Sequence, residues 1–339
     1  MNVVLFYSGL GKRGGIIPEM LILSSVLDEE AIPHTVTSRL EDVIHSKHDR
    51  ETIVHVFGCL PSARNLGAMV LAWRRAQPLV WTPTFHPRRQ FIWKGSGPYR
   101  VMALFDRVAP RIARITHAVI AGTEEEAAFF RKMGAPRTVV IPPVVTTTYP
   151  RLLGANRASA RARLGVGDEP VVLLIAAHSP RRKGLDFASR VLTELRSWLP
   201  NVTFLVIGGG DPGLLGGQPG ARILGWVPDE LVLDAYRSAD LLFVPSLYEQ
   251  FSRATLEAWA CELPVVLTEG VALAPTGKQF DTAKVVSLGD VTTTAATLAE
   301  ALRDPLWRQQ AGQRGRALAG ERFVQNRLLD TVELYRSLA

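Results

Sequence analysis

Only two cysteines, Cys59 and Cys261, occur in 339 residues, far apart and in apolar surroundings. That excludes a disulfide framework, and both read as buried thiols of a reducing compartment. No apolar run approaches the roughly 18–20 residues that span a bilayer. Met1 leads straight into strand-like NVVLFY, with no basic leader and no small-residue cleavage site, so no signal peptide is expected. There is no Asp-x-Asp metal motif and no His/Cys ligand cluster, so no metal site is expected. Internal repeats and low-complexity tracts are missing too, which excludes solenoids and disordered tails. What is present is ordinary for a globular enzyme: 47 % apolar and 21 % charged residues. The length is comfortable for two domains.

Acidic residues are scarce in one region. Residues 1–150 carry 18 Lys and Arg against 12 Asp and Glu, whereas the rest carries 21 against 20. Within 73–114 there are nine basic residues and one acid, Asp106. Such an excess suggests an anionic partner there, or a merely solvated basic face.

Short apolar segments alternate with amphipathic ones through most of the chain. NVVLFY, HTVTS, TIVHVF, PLVWTP, HAVIAG and RTVVIP are separated by helix-like stretches, which is the pattern of parallel βαβ units. Thr123 before three glutamates reads as a helix cap, and Gly134 after Lys132-Met133 as a helix end. IPPVVTTTYPRLLGAN then interrupts the alternation with three prolines and no helical period, which places a link near 143–152. The alternation resumes with PVVLLIAA, VTFLVIGG, ARILGW, DLLFVPS and PVVLTE. Two doubly wound sheets in series imply ligands at the carboxyl ends of the strands, in a cleft between them.

Two glycine clusters spell G-x-G-x-x-G, at Gly9-Gly11-Gly14 and Gly208-Gly210-Gly213. A dinucleotide site also needs an acid ending the next strand. After the first cluster that strand ends in Arg39, which suits only a phosphorylated nicotinamide cofactor. Pro212 and the segment after it do not look like a helix packed on a strand.

The sharper feature is PSLYEQFSRATLEAWACELPVV, where seven residues separate Glu249 from Glu257. Eight helical steps would place the two carboxylates roughly 12 Å apart. Retaining glycosidases need about 5–5.5 Å and inverting ones about 6.5–9.5 Å. The spacing therefore suits two acceptors on different parts of one long ligand, with Glu249 in the loop and Glu257 one turn into the helix. Ser252 and Arg253 would open that helix, whose N-terminus is suited to an anion.

Residues 240–267, with this E-x7-E spacing, resemble family 4 of the retaining nucleotide-sugar glycosyltransferases. VVLLIAAHSPRRKGLDF is similar to the family's strand, variable loop and Lys-Gly, and ILGWVPDELVLDAYRSADLLFVPS follows the family order. PLVWTPTFHPRR resembles its strand-end histidine segment. The likeness is strong over 170–267, moderate at the tail and weaker across 1–150. It implies an α/β fold of GT-B type, with two facing Rossmann-like doubly wound parallel-sheet domains and a central cleft. The expected boundaries are 1–148 for an acceptor-side domain, 149–320 for a donor domain, and 321–339 for a helix crossing back to the first.

By the same resemblance, Glu257 would take the donor ribose. Glu249, with the backbone of Gln250, Phe251 and Ser252, would take the transferred sugar. Lys183, with Arg182 and the helix N-terminus at Ser252 and Arg253, would neutralise the diphosphate in place of a divalent cation. Gly225 and Val227 would border the base, Gly14 and Gly15 would approach the phosphates, and His86 would face the reacting sugar. The implied activity is metal-independent retaining transfer in carbohydrate biosynthesis. It needs no cofactor beyond the nucleotide-diphosphate sugar.

Three positions depart from the family pattern. His178 stands where an arginine is common, with Arg181 or Arg182 as its replacement; Gln250-Phe251-Ser252 replaces a Gly-Phe-Gly; and Glu262 replaces a glycine. Donor choice or activity is therefore open. An NADP-dependent oxidoreductase and a non-catalytic nucleotide-sugar-binding module are the alternatives.

In FHPRRQFIWKGSGPYR, residues Arg88, Arg89, Trp93 and Lys94 interleave charge with aromatic surface. They suit a lipid-linked acceptor at an anionic membrane face, a soluble anionic or aromatic acceptor, or a solvated loop. The expected location is cytoplasmic, with peripheral membrane contact at most and no nucleic-acid partner.

Overall fold

The computed structural model describes residues 1–10, 16–46, 51–58, 62–83, 98–145, 156–176, 182–209 and 211–339, and only the backbone of 16, 98–106 and 214. The chain forms two compact units, residues 1–144 with 325–339, and residues 145–324.

The first unit contains β1 (Asn2–Phe6), α1 (Ile16–Glu29), β2 (His34–Thr37), α2 (Leu40–His45), β3 (Thr52–Phe57), α3 (Ala63–Arg74), β4 (Leu79–Thr82), α4 (Pro98–Ile115), β5 (Ala118–Ala121), α5 (Glu124–Lys132) and β6 (Thr138–Val140). Its six strands are parallel, in the order β2-β1-β3-β4-β5-β6. The inner strands β1, β3, β4 and β5 are buried and read as near-continuous apolar runs because both of their faces are covered. In β1, Val3 and Leu5 enter one core while Val4 and Phe6 enter the other. Side-chain oxygens close the helix starts: Ser62 accepts from the Asn65 N–H and Thr123 from the Glu126 N–H, each at 3.3 Å.

The second unit contains α6 (Arg157–Leu164), β7 (Val171–Ile175), α7 (Leu185–Trp198), β8 (Thr203–Ile207), β9 (Ala221–Gly225), α8 (Asp229–Ser238), β10 (Leu241–Val244), α9 (Arg253–Ala260), β11 (Val265–Thr268), α10 (Ala274–Gln279), β12 (Ala283–Val286), α11 (Val291–Arg303) and α12 (Pro305–Arg322). Its sheet is again six-stranded and parallel, in the order β12-β11-β10-β7-β8-β9. Val171 and Leu173 of β7 face one core, and Val172 and Leu174 the other. Helix α6 sits in a stretch that the sequence reading left without regular structure. It is short and arginine-rich, so its apolar signal is weak. Asn156 caps its start and Gly165 ends it in a left-handed conformation.

The last helix, α13 (Leu329–Arg336), lies in the first unit. Leu328, Val332, Leu334 and Tyr335 join the core that holds Val3 and Leu5. The Tyr335 hydroxyl meets His55 Nδ1 at 2.5 Å, and His55 Nε2 meets the Thr82 hydroxyl at 2.7 Å. The unit edges fall at 144 and 324, four residues from the 148 and 320 expected from the sequence. One backbone bond accounts for the shift. The Val145 N–H donates to the Phe323 carbonyl at 2.9 Å, and both side chains are buried in the second unit's core.

Candidate functional site

In a doubly wound sheet the strands on either side of the order reversal send their connections to opposite faces. That leaves a crevice at their carboxyl ends. In the second unit the reversal lies between β7 and β10. The segments that follow these two strands carry Arg182, Lys183 and Gly184 on one side, and Ser246, Glu249 and Gln250 on the other. Arg182 and Tyr248, 66 positions apart in sequence, are thus brought together by topology.

The two segments are tied at the backbone. The Leu247 N–H donates to the Arg182 carbonyl at 2.9 Å, and Arg182 Nη1 donates to the Tyr248 carbonyl at 3.0 Å. Gly184, at φ +72°, lies so near Pro245 that a Cβ would run into the Pro245 carbonyl oxygen. The segment after β11 joins them. The Glu249 N–H donates to the Gly270 carbonyl at 3.1 Å, and the Glu249 carbonyl accepts from the Ala272 N–H at 2.9 Å. The Thr268 hydroxyl donates to the Ser246 carbonyl.

This frame fixes a buried charge cluster. Glu249 Oε1 lies 2.5 Å from Lys183 Nζ and 3.0 Å from Arg182 Nη1, and accepts from the Ser246 hydroxyl at 3.2 Å. Burial alone would raise the Glu249 carboxyl. The charges of Lys183 and then Arg182 outweigh it and hold the group below the ordinary carboxylate value.

Ser252 caps α9, its hydroxyl oxygen accepting from the Thr255 N–H at 3.3 Å. Glu257, one turn on, accepts from the Tyr236 hydroxyl at 2.7 Å and pairs with Arg253 Nη2 at 3.4 Å. Gln250 Oε1 is buried without a hydrogen-bond partner among the described residues. The Phe251 ring packs on the core, 5.9 Å from the Phe323 ring. At the end of β9 the Gly225 carbonyl accepts from the Gly208 N–H at 2.8 Å, and Val227 packs on the core. Trp226, between them, is 44 % exposed and lies over Gly209.

The structure therefore brings together Arg182, Lys183 and Glu249, and separately Arg253 and Glu257. His86, Arg88, Arg89, Trp93, Lys94, Gly14, Gly15 and His178 lie outside the described residues. Sequence reading missed Tyr236 and Ser246, which hold the two glutamates. Ser246 was legible in part, three residues before Glu249. Tyr236 was not, because its partner is 21 positions away. Cys261 is a free thiol that burial, helped by the Glu257 charge, pushes up to about 12. Among the described residues no group of three or more His, Cys, Asp or Glu is placed to hold a metal ion. No described helix is long and apolar enough to cross a membrane.

Solved structures identify the fold. The chain superposes on sucrose-phosphate synthase from Thermosynechococcus elongatus with a TM-score of 0.81 at 20 % identity, covering 99 % of this chain and 98 % of that one. It matches Anabaena HepE, solved in complex with UDP and glucose, with a TM-score of 0.79 at 18 % identity over 100 % of both chains. The architecture is that of GT-B glycosyltransferases. Residues 169–304, all within the second unit, match the family described as glycosyl transferases group 1. The O-antigen chain mannosyltransferase B of Escherichia coli is 30 % identical over 148 residues, which is 44 % of this chain and 37 % of that protein. The chain spans about a third of the length of the curated relatives it matches.

Proposed function

We propose that the chain transfers a sugar, with retention of anomeric configuration, from a nucleoside-diphosphate sugar to an acceptor bound by the first unit. The supporting observation is the charge cluster of Arg182, Lys183 and Glu249 at the β7/β10 reversal, with Glu257 one turn into the next helix, inside the segment that matches the group 1 family. HepE, of the same fold, carries UDP in its crystal structure. The curated relatives include a GDP-mannose-dependent mannosyltransferase.

In this reading the diphosphate lies against Lys183 and Arg182, with the α9 N-terminus as a further anion site. Glu257, oriented by Tyr236, accepts from the ribose hydroxyls. Glu249 and Gln250 face the transferred sugar, where the unpartnered Gln250 oxygen accepts a sugar hydroxyl. As the glycosidic bond to the phosphate breaks, the anomeric carbon gains oxocarbenium character and the leaving diphosphate gains charge. Donors aimed at that charge are typically worth about 10²–10³ in rate each. His86 at the reacting sugar, and Arg88, Arg89, Trp93 and Lys94 on the acceptor, complete the proposal. Because Lys183, Arg182 and the α9 N-terminus take the place of a divalent cation in this reading, turnover should withstand EDTA.

The test is a panel of UDP- and GDP-sugars, followed by release of nucleoside diphosphate and by proton NMR of the product anomer. Turnover of one donor with retained configuration supports the reading. Binding without turnover of any donor would make the chain a binding module, and NADPH binding without nucleotide binding would make it an oxidoreductase.

A further inference from the structure

Both cations at the β7/β10 reversal share a single carboxylate oxygen. Lys183 Nζ and Arg182 Nη1 lie 2.5 and 3.0 Å from Glu249 Oε1, and all three side chains are at most 20 % exposed. Two buried cations side by side repel, and removing one partner of a buried pair is strongly destabilising. Glu249 relieves that repulsion and leaves the trio with a net charge of plus one. The backbone bonds to Gly270 and Ala272 and the Ser246 hydroxyl hold the carboxylate where it is. It cannot swing away to leave the cations uncompensated. A diphosphate reaching Lys183 and Arg182 therefore meets cations already engaged, and a fixed negative charge beside them.

We propose that Glu249 is a resident counter-ion that competes with the nucleotide diphosphate for Lys183 and Arg182 and so sets its affinity. This rests on the donor-site reading given above. It adds a duty that a sugar-gripping glutamate does not have: it weakens the hold on the nucleoside diphosphate left after transfer. Release of product limits turnover in many enzymes. A group that keeps the cations in place yet discourages tight product binding serves both ends of the cycle.

The two duties predict opposite results for free nucleotide, which has no sugar to grip. Calorimetric titration of the full chain with UDP and with GDP, across four proteins, separates them. Glu249→Gln raises the net charge of the trio to plus two and should tighten the bound nucleotide at least about tenfold, or 1.4 kcal/mol. Arg182→Gln lowers it to zero and should weaken binding by about as much. The double variant Arg182→Gln/Glu249→Gln restores plus one, and its affinity should return to within about threefold of wild type. Unchanged affinity in Glu249→Gln would leave only a sugar contact and overturn the proposal, as would weaker binding, which marks a purely structural role. If Glu249→Gln alone does not fold, the rescue of Arg182→Gln by the second substitution decides, and its failure overturns the proposal. Wild-type protein that binds neither UDP nor GDP overturns the donor-site reading itself.

Discussion

Gly184→Ala tests the frame on which the charge cluster hangs. Two costs add at this position. The first is conformational: at φ +72° an L side chain is strained, by about 1–2 kcal/mol. The second is steric. The new Cβ would run into the Pro245 carbonyl oxygen, a backbone atom with no rotamer to escape into. Forcing an extra methyl group into packed structure costs about 1–3 kcal/mol. The expected loss is therefore roughly 2–5 kcal/mol. Gly217→Ala separates the two costs, because Gly217 has φ +75° but nothing within 4 Å of its would-be Cβ. It should lose only the first, about 1–2 kcal/mol. Urea titration at constant m-value gives both numbers. Any Gly184→Ala protein that folds has parted the two segments, so Lys183 and Arg182 are displaced from the position at which they would meet the diphosphate, and UDP binding should fall with stability. Gly217→Ala should bind UDP as wild type does. Equal destabilisation in the two variants, with UDP affinity untouched in both, would refute the contact between the segments as the thing that places Lys183.

Two further outcomes follow from hydrogen bonds. Tyr236→Phe removes the donor to Glu257 Oε2, and a hydrogen bond to a charged group is worth about 1.5–3 kcal/mol. UDP should bind roughly tenfold or more weakly by calorimetry, while inorganic pyrophosphate, which has no ribose, should inhibit as before. His55 is pushed by burial from 6.5 down to about 3, so the unfolded chain takes up its proton well before the folded one does. Its contribution is fully present above pH 6.5 and is lost as pH falls toward 3, about 2 kcal/mol of it by pH 5. His117, also lowered by desolvation, adds in the same direction. His55→Gln should flatten most of the fall in urea stability between pH 7 and 5, a window above the one in which Glu249 is protonated.

The fold was legible where local pattern and global packing agree. Unbroken apolar strands such as VVLLI announced a sheet covered on both faces, and the cap at Thr123 marked a helix start that the structure shows. What local pattern cannot carry is pairing. Nothing near Lys183 says that its partner is Glu249, because the strand order that makes them neighbours is a property of the whole sheet. The sequence offered each as a separate contact to a donor, and the structure shows them bonded to each other. Glu262 shows the opposite case. It was singled out only as a departure from a family glycine, and the structure gives the reason: φ is +57°, a left-handed position that glycine fills without strain. Arg316 meets its carboxylate at 2.9 Å.

The buried His55 marks a related limit, and it bears on the tail. His55 stands among apolar residues in β3 and is buried there. Its partner Tyr335 lies 280 positions away, in a helix that local periodicity could place only as amphipathic. The Tyr335 hydroxyl and His55 Nδ1 are both buried, and leaving such a polar atom without its bond costs about 1–3 kcal/mol. The last helix is therefore held to the first unit by a polar bond as well as by the apolar side chains of Leu328, Val332 and Leu334. Apolar contact alone would tolerate a helix slid by a turn; the His55–Tyr335 bond does not. It fixes the register of the returning helix and, through Thr82, ties that register to the end of β4.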